Sequence, residues 1–142
     1  MNRTLKFVGL IILFICPTFI MAQSSNTWTN YRDLDAVKID YTVQQCGEEP
    51  GVITEFNFIK LTNKTSNPIS VSFKIEYYYN GSCTTCGNEE YAFNFSIPAN
   101  GSVVPDCSLT APNSALAVIK RYVNRSFGYP LDRFELTNIE VH

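Results

Sequence analysis

Apolar and polar residues alternate with a period of two over most of the chain, a pattern typical of β-strands with one buried face. The most regular stretch is 68–100, in which two alternating runs, 69–79 and 91–97, flank a short polar segment. That segment contains the motif Cys83-x-x-Cys86. The stretch therefore predicts a long β-hairpin with a pair of cysteines at its tip.

The same alternation predicts the other strands of the domain. A short leading strand or an ordered tail is expected at 26–35, ahead of seven strands. The seven predicted strands are 37–43, 52–61, 69–79, 91–97, 102–104, 115–123 and 133–141.

The phase of the alternation changes inside two of these strands, between Phe58 and Ile59 and between Leu136 and Ile139. A β-bulge turns the residues that follow it to the other face, so a bulge at Phe58–Ile59 would put the apolar residues on both sides of it into the core. Farther along, Asn100-Gly101 supplies the two residues with φ > 0 that a type I′ hairpin needs, and a tight hairpin turn is predicted there.

Short strands separated by turn-forming loops, with no helical period, predict an all-β fold. We expect an immunoglobulin-like two-sheet β-sandwich of about seven or eight antiparallel strands, with a barrel as the alternative. The Cys…Trp…Cys order of true immunoglobulin domains is absent, because Trp28 precedes every cysteine after residue 22. The likeness is therefore one of architecture, which does not by itself give a function.

The first residues have the layout of a secretory signal peptide. Arg3 and Lys6 precede an apolar run that ends before Ala22, and the run is short for a membrane span. We predict a signal peptide at 1–22, a single domain at 23–142, no membrane span after signal cleavage, and a secreted or periplasmic location. The remaining domain has nine basic and thirteen acidic residues, a net charge of −4.

Composition argues against several functions. An acidic domain without a basic stripe is not expected to bind nucleic acid, and the small cluster of Lys120, Arg121 and Arg125 is typical of a solvated strand face. The single histidine is His142, the last residue, which excludes a Ser-His-Asp triad on the body of the domain. Composition leaves open a carboxylate pair for glycoside cleavage, but so small a domain offers little room for a substrate cleft. The sequence predicts a protein that is not an enzyme.

Four cysteines remain in the domain, and a simple up-and-down order of strands would bring their loops to one end. The cysteines are Cys46, Cys83, Cys86 and Cys107. Export favours disulfides, for which three pairings exist. We favour Cys83–Cys86 with Cys46–Cys107, although the loop entropies of the alternatives are similar. The open alternatives are a zinc site formed by all four cysteines and thiol–disulfide exchange at Cys83-x-x-Cys86.

The end of the domain that carries the cysteines is the predicted interaction pole. Its candidate residues are Tyr78, Glu48, Glu49, Glu89 and Glu90. An unknown protein or glycan ligand is the expected partner, with no metal and no cofactor. Calcium is considered for the acidic residues, but no Asp-x-Asp spacing supports it. Three further tyrosines, Tyr77, Tyr79 and Tyr91, are expected to cap the core instead of facing a partner.

One further resemblance rests on the run Leu61-Thr-Asn, on Asn67-Pro-Ile-Ser-Val-Ser-Phe and on Tyr-Tyr-Asn-Gly-Ser-Cys-Thr-Thr-Cys-Gly-Asn, together with a leader that ends in Ala-Gln. In these features the chain resembles small uncharacterised secreted proteins of Bacteroidetes-type bacteria, over most of the length that follows the leader. The resemblance implies export. It implies no particular activity and no catalytic residues.

Overall fold

A computed structural model of the chain describes residues 27–48, 51–126 and 128–142, so the predicted signal peptide lies outside the described residues. The described part contains nine strands and two short 3₁₀ turns, Glu89–Tyr91 and Asn113–Leu116. The strands are β1 Thr29–Asp33, β2 Val37–Glu48, β3 Val52–Asn63, β4 Ile69–Tyr79, β5 Ser82–Cys83, β6 Ala92–Ile97, β7 Ser102–Val103, β8 Ala117–Tyr122 and β9 Arg133–Val141. None of the helices in these ranges is long and apolar enough to cross a membrane.

The strands form two antiparallel sheets, which confirms the all-β prediction. The first sheet has the order β1-β2-β3, and β7 and β8 lie end to end along the other edge of β3. The second sheet is built on β4. Tyr78 pairs with Cys83 of β5 and with Arg133 of β9, so these two strands lie on opposite edges of β4, and β6 shares the edge of β5. The central strands are thus β3 and β4.

The two sheets share one hydrophobic core. Its members alternate along the strands, as the sequence predicts, because successive side chains of a strand point to opposite faces. The buried residues of this core are Val37, Ile39, Ile59, Leu61, Val71, Phe73, Ile75, Phe95, Ile97, Leu116, Val118, Leu131 and Leu136. At about 25 cal/mol per Å² of buried apolar surface, this core is the main stabilising contribution to the fold.

The predicted bulge at Phe58–Ile59 is wrong. The register between β2 and β3 runs without a shift from Val37 to Glu48, so Phe58 and Ile59 point to opposite faces of the sheet. Ile59 enters the shared core, whereas Phe58 lies in a second buried cluster on the outer face. The change of phase arises because β3 is covered on both faces, and such strands lose a simple alternation.

The second change of phase does mark a bulge. Between Ser72 and Lys74 of β4, the partner residues in β9 skip from Glu140 to Thr137, so β9 carries one extra residue there. Asn138 has a φ of 53° at this point. The bulge lets Leu136 and Ile139 both pack on the shared core.

The predicted hairpin at Asn100-Gly101 is also wrong, because the two strands that it joins, β6 and β7, belong to different sheets. Asn100 has a φ of 53°, but Gly101 is not among the residues with positive φ. The backbone N–H of Gly101 donates to the carbonyl of Pro98 at 3.0 Å instead. The turn therefore carries the chain from one sheet to the other.

Candidate functional site

The structure contains the favoured pair of disulfides, Cys46–Cys107 and Cys83–Cys86. Cys46 is 1% exposed and lies in the outer-face cluster with Phe56 and Phe58. Its bond to Cys107 holds the segment between β7 and β8 over this face, where Leu109 covers the two phenylalanines. The Cys46–Cys107 disulfide therefore stabilises a small second core.

The position predicted for Cys83-x-x-Cys86, at the tip of the hairpin, is wrong. The tip is Asn80-Gly81, whose φ angles of 50° and 74° form the two-residue turn. Asparagine and glycine adopt such angles readily, whereas the β-branched Thr84 and Thr85 do not. The chain then returns along β4 as β5, so both cysteines lie beside the strand and not at its end.

Thr85 fixes the loop between the two cysteines. It is buried, with 4% of its surface exposed. Its hydroxyl accepts from the N–H of Tyr77 at 2.8 Å and donates to the carbonyl of Ile75 at 3.3 Å. The N–H of Thr84 donates to the carbonyl of Tyr77 at 2.9 Å. The loop is thus attached to β4 by hydrogen bonds that do not depend on the disulfide.

A polar cluster surrounds Cys86 on the outer face of the second sheet. Cys86 Sγ lies 3.3 Å from Glu76 Oε2 and 3.8 Å from the Tyr78 hydroxyl. A disulfide sulfur has no hydrogen to donate, so the first distance is a contact between sulfur and a carboxylate oxygen. The Tyr78 hydroxyl donates to Glu76 at 3.2 Å, and the Arg133 guanidinium stacks over the Tyr78 ring at 3.6 Å. Partial burial and the carboxylate of Glu135 raise the pKa of Tyr78.

The four cysteines are not gathered on one surface. The Cys46–Cys107 disulfide lies on the outer face of the first sheet, whereas Cys83–Cys86 lies against Glu76 on the outer face of the second. A zinc site that uses all four is therefore not assembled. The two disulfides do share an end of the domain, because Cys46 pairs with Thr54 and Thr54 pairs with Tyr122 beside the Cys83–Cys86 loop.

The acidic candidates of the interaction pole are dispersed. Glu48 ends β2, and Glu49 lies outside the described residues. Glu89 and Glu90 form part of a 3₁₀ turn, in which Glu89 makes a 2.6 Å ion pair with Lys74. The use of this end of the domain as an interaction surface stays a prediction.

A groove lies along β8, outside the predicted interaction pole. Its volume is about 640 Å³. It is lined by Tyr79, Thr84, Ile119, Lys120, Arg121, Tyr122, Arg125, Ser126, Gly128, Tyr129 and Pro130. We call it the β8 groove. Among the described residues, three tyrosines and three cations line it, and no acidic side chain does.

A bulge and a buried glutamate bring two of the cations together. Between Ile119 and Arg121, Lys120 is an extra residue with no partner in β3. Lys120 and Arg121 consequently both reach Glu55, which is 6% exposed. Lys120 Nζ and Arg121 Nε each lie 3.0 Å from Glu55 Oε1, and a second guanidinium nitrogen lies 3.2 Å from Oε2. The hydrogen bond from Arg121, with those from Lys120 and Gln45, lowers the pKa of Glu55 from 4.5 to about 2.

Arg125 and Tyr129 complete the β8 groove. Arg125 is exposed and forms no ion pair with any residue that the structure describes. Tyr129 is 71% exposed, far more than the other tyrosines that line the groove. The sequence signal for this site was the cluster of Lys120, Arg121 and Arg125, which a solvated strand face would also produce.

Two of the three tyrosines that were predicted to cap the core pack directly against it. Tyr77 and Tyr79 pack against the shared core, and the ring of Tyr91 meets that of Tyr77 edge-on at 5.3 Å. Burial and the neighbouring hydroxyls of Tyr91 and Tyr79 raise the pKa of Tyr77 to about 12. These rings close the side of the core beside β8.

Comparisons with models of protein families, with curated proteins and with solved structures give no match for the chain. Function is therefore argued from the chemistry of the two sites alone, the β8 groove and the cluster around Cys86.

Proposed function

We propose that the protein is an exported, disulfide-stabilised binding module of immunoglobulin-like architecture that binds a carbohydrate carrying carboxylate groups in the β8 groove. The observation that carries the proposal is the lining of this groove: three cations and three tyrosines, without an acidic side chain among the described residues. The whole chain has a net charge of −2, so this local excess of positive charge runs against the overall balance. Oppositely charged clefts attract ligands and fix their orientation.

The order of the strands supports the immunoglobulin-like architecture. In that fold, strands A, B and E are neighbours in one sheet, and C and F are neighbours in the other. The sheet β2-β3-β8 and the pair β4-β9 follow the same order along the chain, with crossings between the sheets after β3, after β6 and after β8. The disulfide between sheets that antibodies have is replaced here by Cys46–Cys107 on an outer face.

The two disulfides support export. Disulfides persist in oxidising compartments and are rare in the cytosol, where thiols are kept reduced. Cys46–Cys107 joins residues 61 positions apart and holds a segment over the outer-face cluster, so its formation stabilises the fold. This disulfide supports a secreted or periplasmic location.

Carboxylates are among the anions that suit the cations of this groove. A guanidinium presents parallel N–H donors that match the two oxygens of a carboxylate. Arg121 already uses two nitrogens on Glu55, whereas Arg125 makes no ion pair with the residues that the structure describes and is exposed to a ligand. Glu55 stays ionised above its low pKa and forms ion pairs with the other two cations.

Carbohydrate fits better than a peptide for two reasons. The exposed ring of Tyr129 offers a flat apolar surface with a polar tip, which suits the C–H face of a sugar ring. A peptide strand would need a free edge of β8, but the carbonyl of Lys120 there already accepts from the N–H of Leu131 at 2.8 Å. A sugar binds without pairing to the backbone of a strand, so the hydrogen bond between Leu131 and Lys120 does not interfere with its binding.

Calorimetry with a uronic acid oligosaccharide, the neutral oligosaccharide of equal length and a poly-glutamate peptide tests the proposal. We expect the uronic acid chain to bind best, with affinity that falls as salt is added. Arg125→Ala and Tyr129→Ala should each weaken binding about tenfold, the equivalent of ~1.4 kcal/mol. Arg32→Ala removes an exposed cation of β1, away from the groove, and should leave binding unchanged.

The panel also separates the alternatives. If Arg125→Ala binds the uronic acid chain as tightly as the original protein does, the β8 groove is not the binding site. Tighter binding of poly-glutamate, with loss in Arg125→Ala, would keep the groove but overturn the carbohydrate assignment. No binding of any of the three probes would overturn the proposed ligand class.

A further inference from the structure

The cluster around Cys86 has the composition of a metal site that can exist only when its disulfide is open. The ligand atoms of Glu76, Cys83 and Cys86 all lie within 4.8 Å of one another. Two sulfurs and one carboxylate oxygen are ligands that Zn²⁺ accepts, and tetrahedral coordination places such atoms about 3.6–3.8 Å apart. We propose that the reduced Cys83–Cys86 pair binds one Zn²⁺ together with Glu76, and that oxidation to the disulfide releases it.

The first support is that the loop keeps its position without the disulfide. Thr85 lies between the two cysteines, is buried, and is hydrogen-bonded to the backbone of β4 at Tyr77 and Ile75. Cys83 itself pairs with Tyr78 in the sheet. Reduction would therefore free the two sulfurs while their backbone stays beside Glu76. A metal site that is already arranged in this way avoids the ordering cost of collecting ligands from a mobile chain.

The second support is the charge balance around Glu76. Arg133 lies on the neighbouring strand, but it pairs with Glu135 at 2.8 Å and stacks over Tyr78. Among the described residues, Glu76 accepts only from neutral groups, the hydroxyls of Tyr78 and Thr137. This carboxylate has no cationic partner, and a bound cation would supply one.

The same carboxylate distinguishes metal binding from thiol–disulfide exchange. Exchange enzymes stabilise a thiolate with a helix N-terminus or a neighbouring cation. Here the Glu76 oxygen lies 3.3 Å from Cys86 Sγ, and its negative charge disfavours a free thiolate. A zinc ion reverses this, because it binds thiolates and carboxylate together and neutralises their charge.

The reaction balances with a low-molecular-weight thiol as the reductant. Two molecules of the thiol become one disulfide and give two electrons and two protons to the sulfurs of Cys83 and Cys86. Binding of Zn²⁺ to the two sulfurs then releases those two protons to solvent, and water completes the fourth position. Oxidation by the low-molecular-weight disulfide reverses both steps: it takes two electrons from the two sulfurs, reforms the sulfur–sulfur bond and releases Zn²⁺, and the disulfide takes up two protons to become two thiols.

Zinc stoichiometry in the purified protein tests the proposal. A phosphine reductant opens the exposed disulfide, and alkylation with peptide mapping verifies that Cys46–Cys107 stays intact. We expect one Zn²⁺ per reduced chain by dialysis and metal analysis, and none in the oxidised protein. Substitution of Co²⁺ for zinc should give a sulfur-to-cobalt absorption band, which reports thiolate coordination directly.

Variants assign the ligands. The double variant Cys83→Ser/Cys86→Ser should bind no zinc, and Glu76→Gln should lower the affinity at least tenfold while the sulfur-to-cobalt band persists. Glu140→Gln changes an exposed carboxylate on the same strand pair and serves as the matched control. The proposal is overturned if the reduced protein binds no more zinc than the double serine variant, or if Glu76→Gln binds as tightly as Glu140→Gln. Loss of the native NMR spectrum on reduction would overturn it too, because the loop would not be held by Thr85.

Discussion

Replacement of Glu55 by glutamine is expected to lower stability at neutral pH and to make the protein less sensitive to acid. Glu55 is 6% exposed and is held between Lys120 and Arg121. The substitution keeps the size of the side chain but removes its charge. Lys120 and Arg121 then lose their shared partner, and the carboxyl group that titrates in acid is gone.

The magnitude follows from the pKa of Glu55, which is lowered from 4.5 to about 2. Because the value in the folded protein lies below that of the unfolded chain, the stabilisation is complete above about pH 4.5 and is lost as the pH falls towards about 2. The full shift would correspond to about 3 kcal/mol. Lys120 and Arg121 are 37% and 53% exposed, so water screens the interaction and we expect about 2 kcal/mol.

Urea unfolding between pH 7 and pH 3, followed by the fluorescence of the single Trp28, measures this effect. The stability of the original protein should fall more steeply with acid than that of Glu55→Gln, and roughly half of the 2 kcal/mol difference should be gone by pH 3. The control is Asp33→Asn, which breaks an exposed 2.6 Å ion pair with Lys64 and should cost about 0–1 kcal/mol. Parallel pH curves for Glu55→Gln and the original protein would refute the reasoning.

Three further substitutions test the packing. Cys46→Ser/Cys107→Ser should lower the free energy of unfolding by about 4 kcal/mol in urea titrations, since the disulfide closes a separation of 61 residues. Thr85→Val should cost about 1–3 kcal/mol, because a buried N–H of β4 loses its acceptor, and amide exchange should rise at that N–H. Gly101→Ala places a Cβ 2.6 Å from Pro98 Cγ in a rigid ring, so a drop of about 1–3 kcal/mol is expected by thermal unfolding. An unchanged midpoint in any of the three would contradict the corresponding contact.

The strands could be predicted from the sequence, because alternation of apolar and polar residues indicates that one face is buried. The cause of a change in the phase of that alternation could not be predicted. At Leu136 and Ile139 the pattern shifts because the backbone bulges. At Phe58 and Ile59 a similar shift arises because both faces are covered, one of them by Trp28 and the segment that Cys107 holds. A one-dimensional pattern does not record what lies above a sheet, so the two cases look alike in the sequence.

The functional sites were harder to predict from the sequence than the strands were. Asn80-Gly81 carries the strongest local signal for a two-residue turn, and a turn at these two residues places Cys83-x-x-Cys86 beside β4. The β8 groove had no comparable signal, because it depends on Lys120 being an extra residue opposite Glu55. Those two residues are 65 positions apart in the sequence, and only the pairing of β3 with β8 joins them.

The pairing of the two central strands also bears on the order in which the chain can fold. One edge of β3 pairs with β2 and one edge of β4 pairs with β6, and these partners are close in the sequence. The strands β8 and β9, which pair with the opposite edges of β3 and β4, lie in the last quarter of the chain. Contacts between distant segments form slowly, because the entropy of closing the loop is lost before the contacts compensate for it. During synthesis the first sheet cannot be completed until β8 has emerged, and the second cannot be completed until the C-terminal strand β9 has emerged, so both sheets are completed late. A chain with this topology is well suited to passing through a narrow channel before it folds.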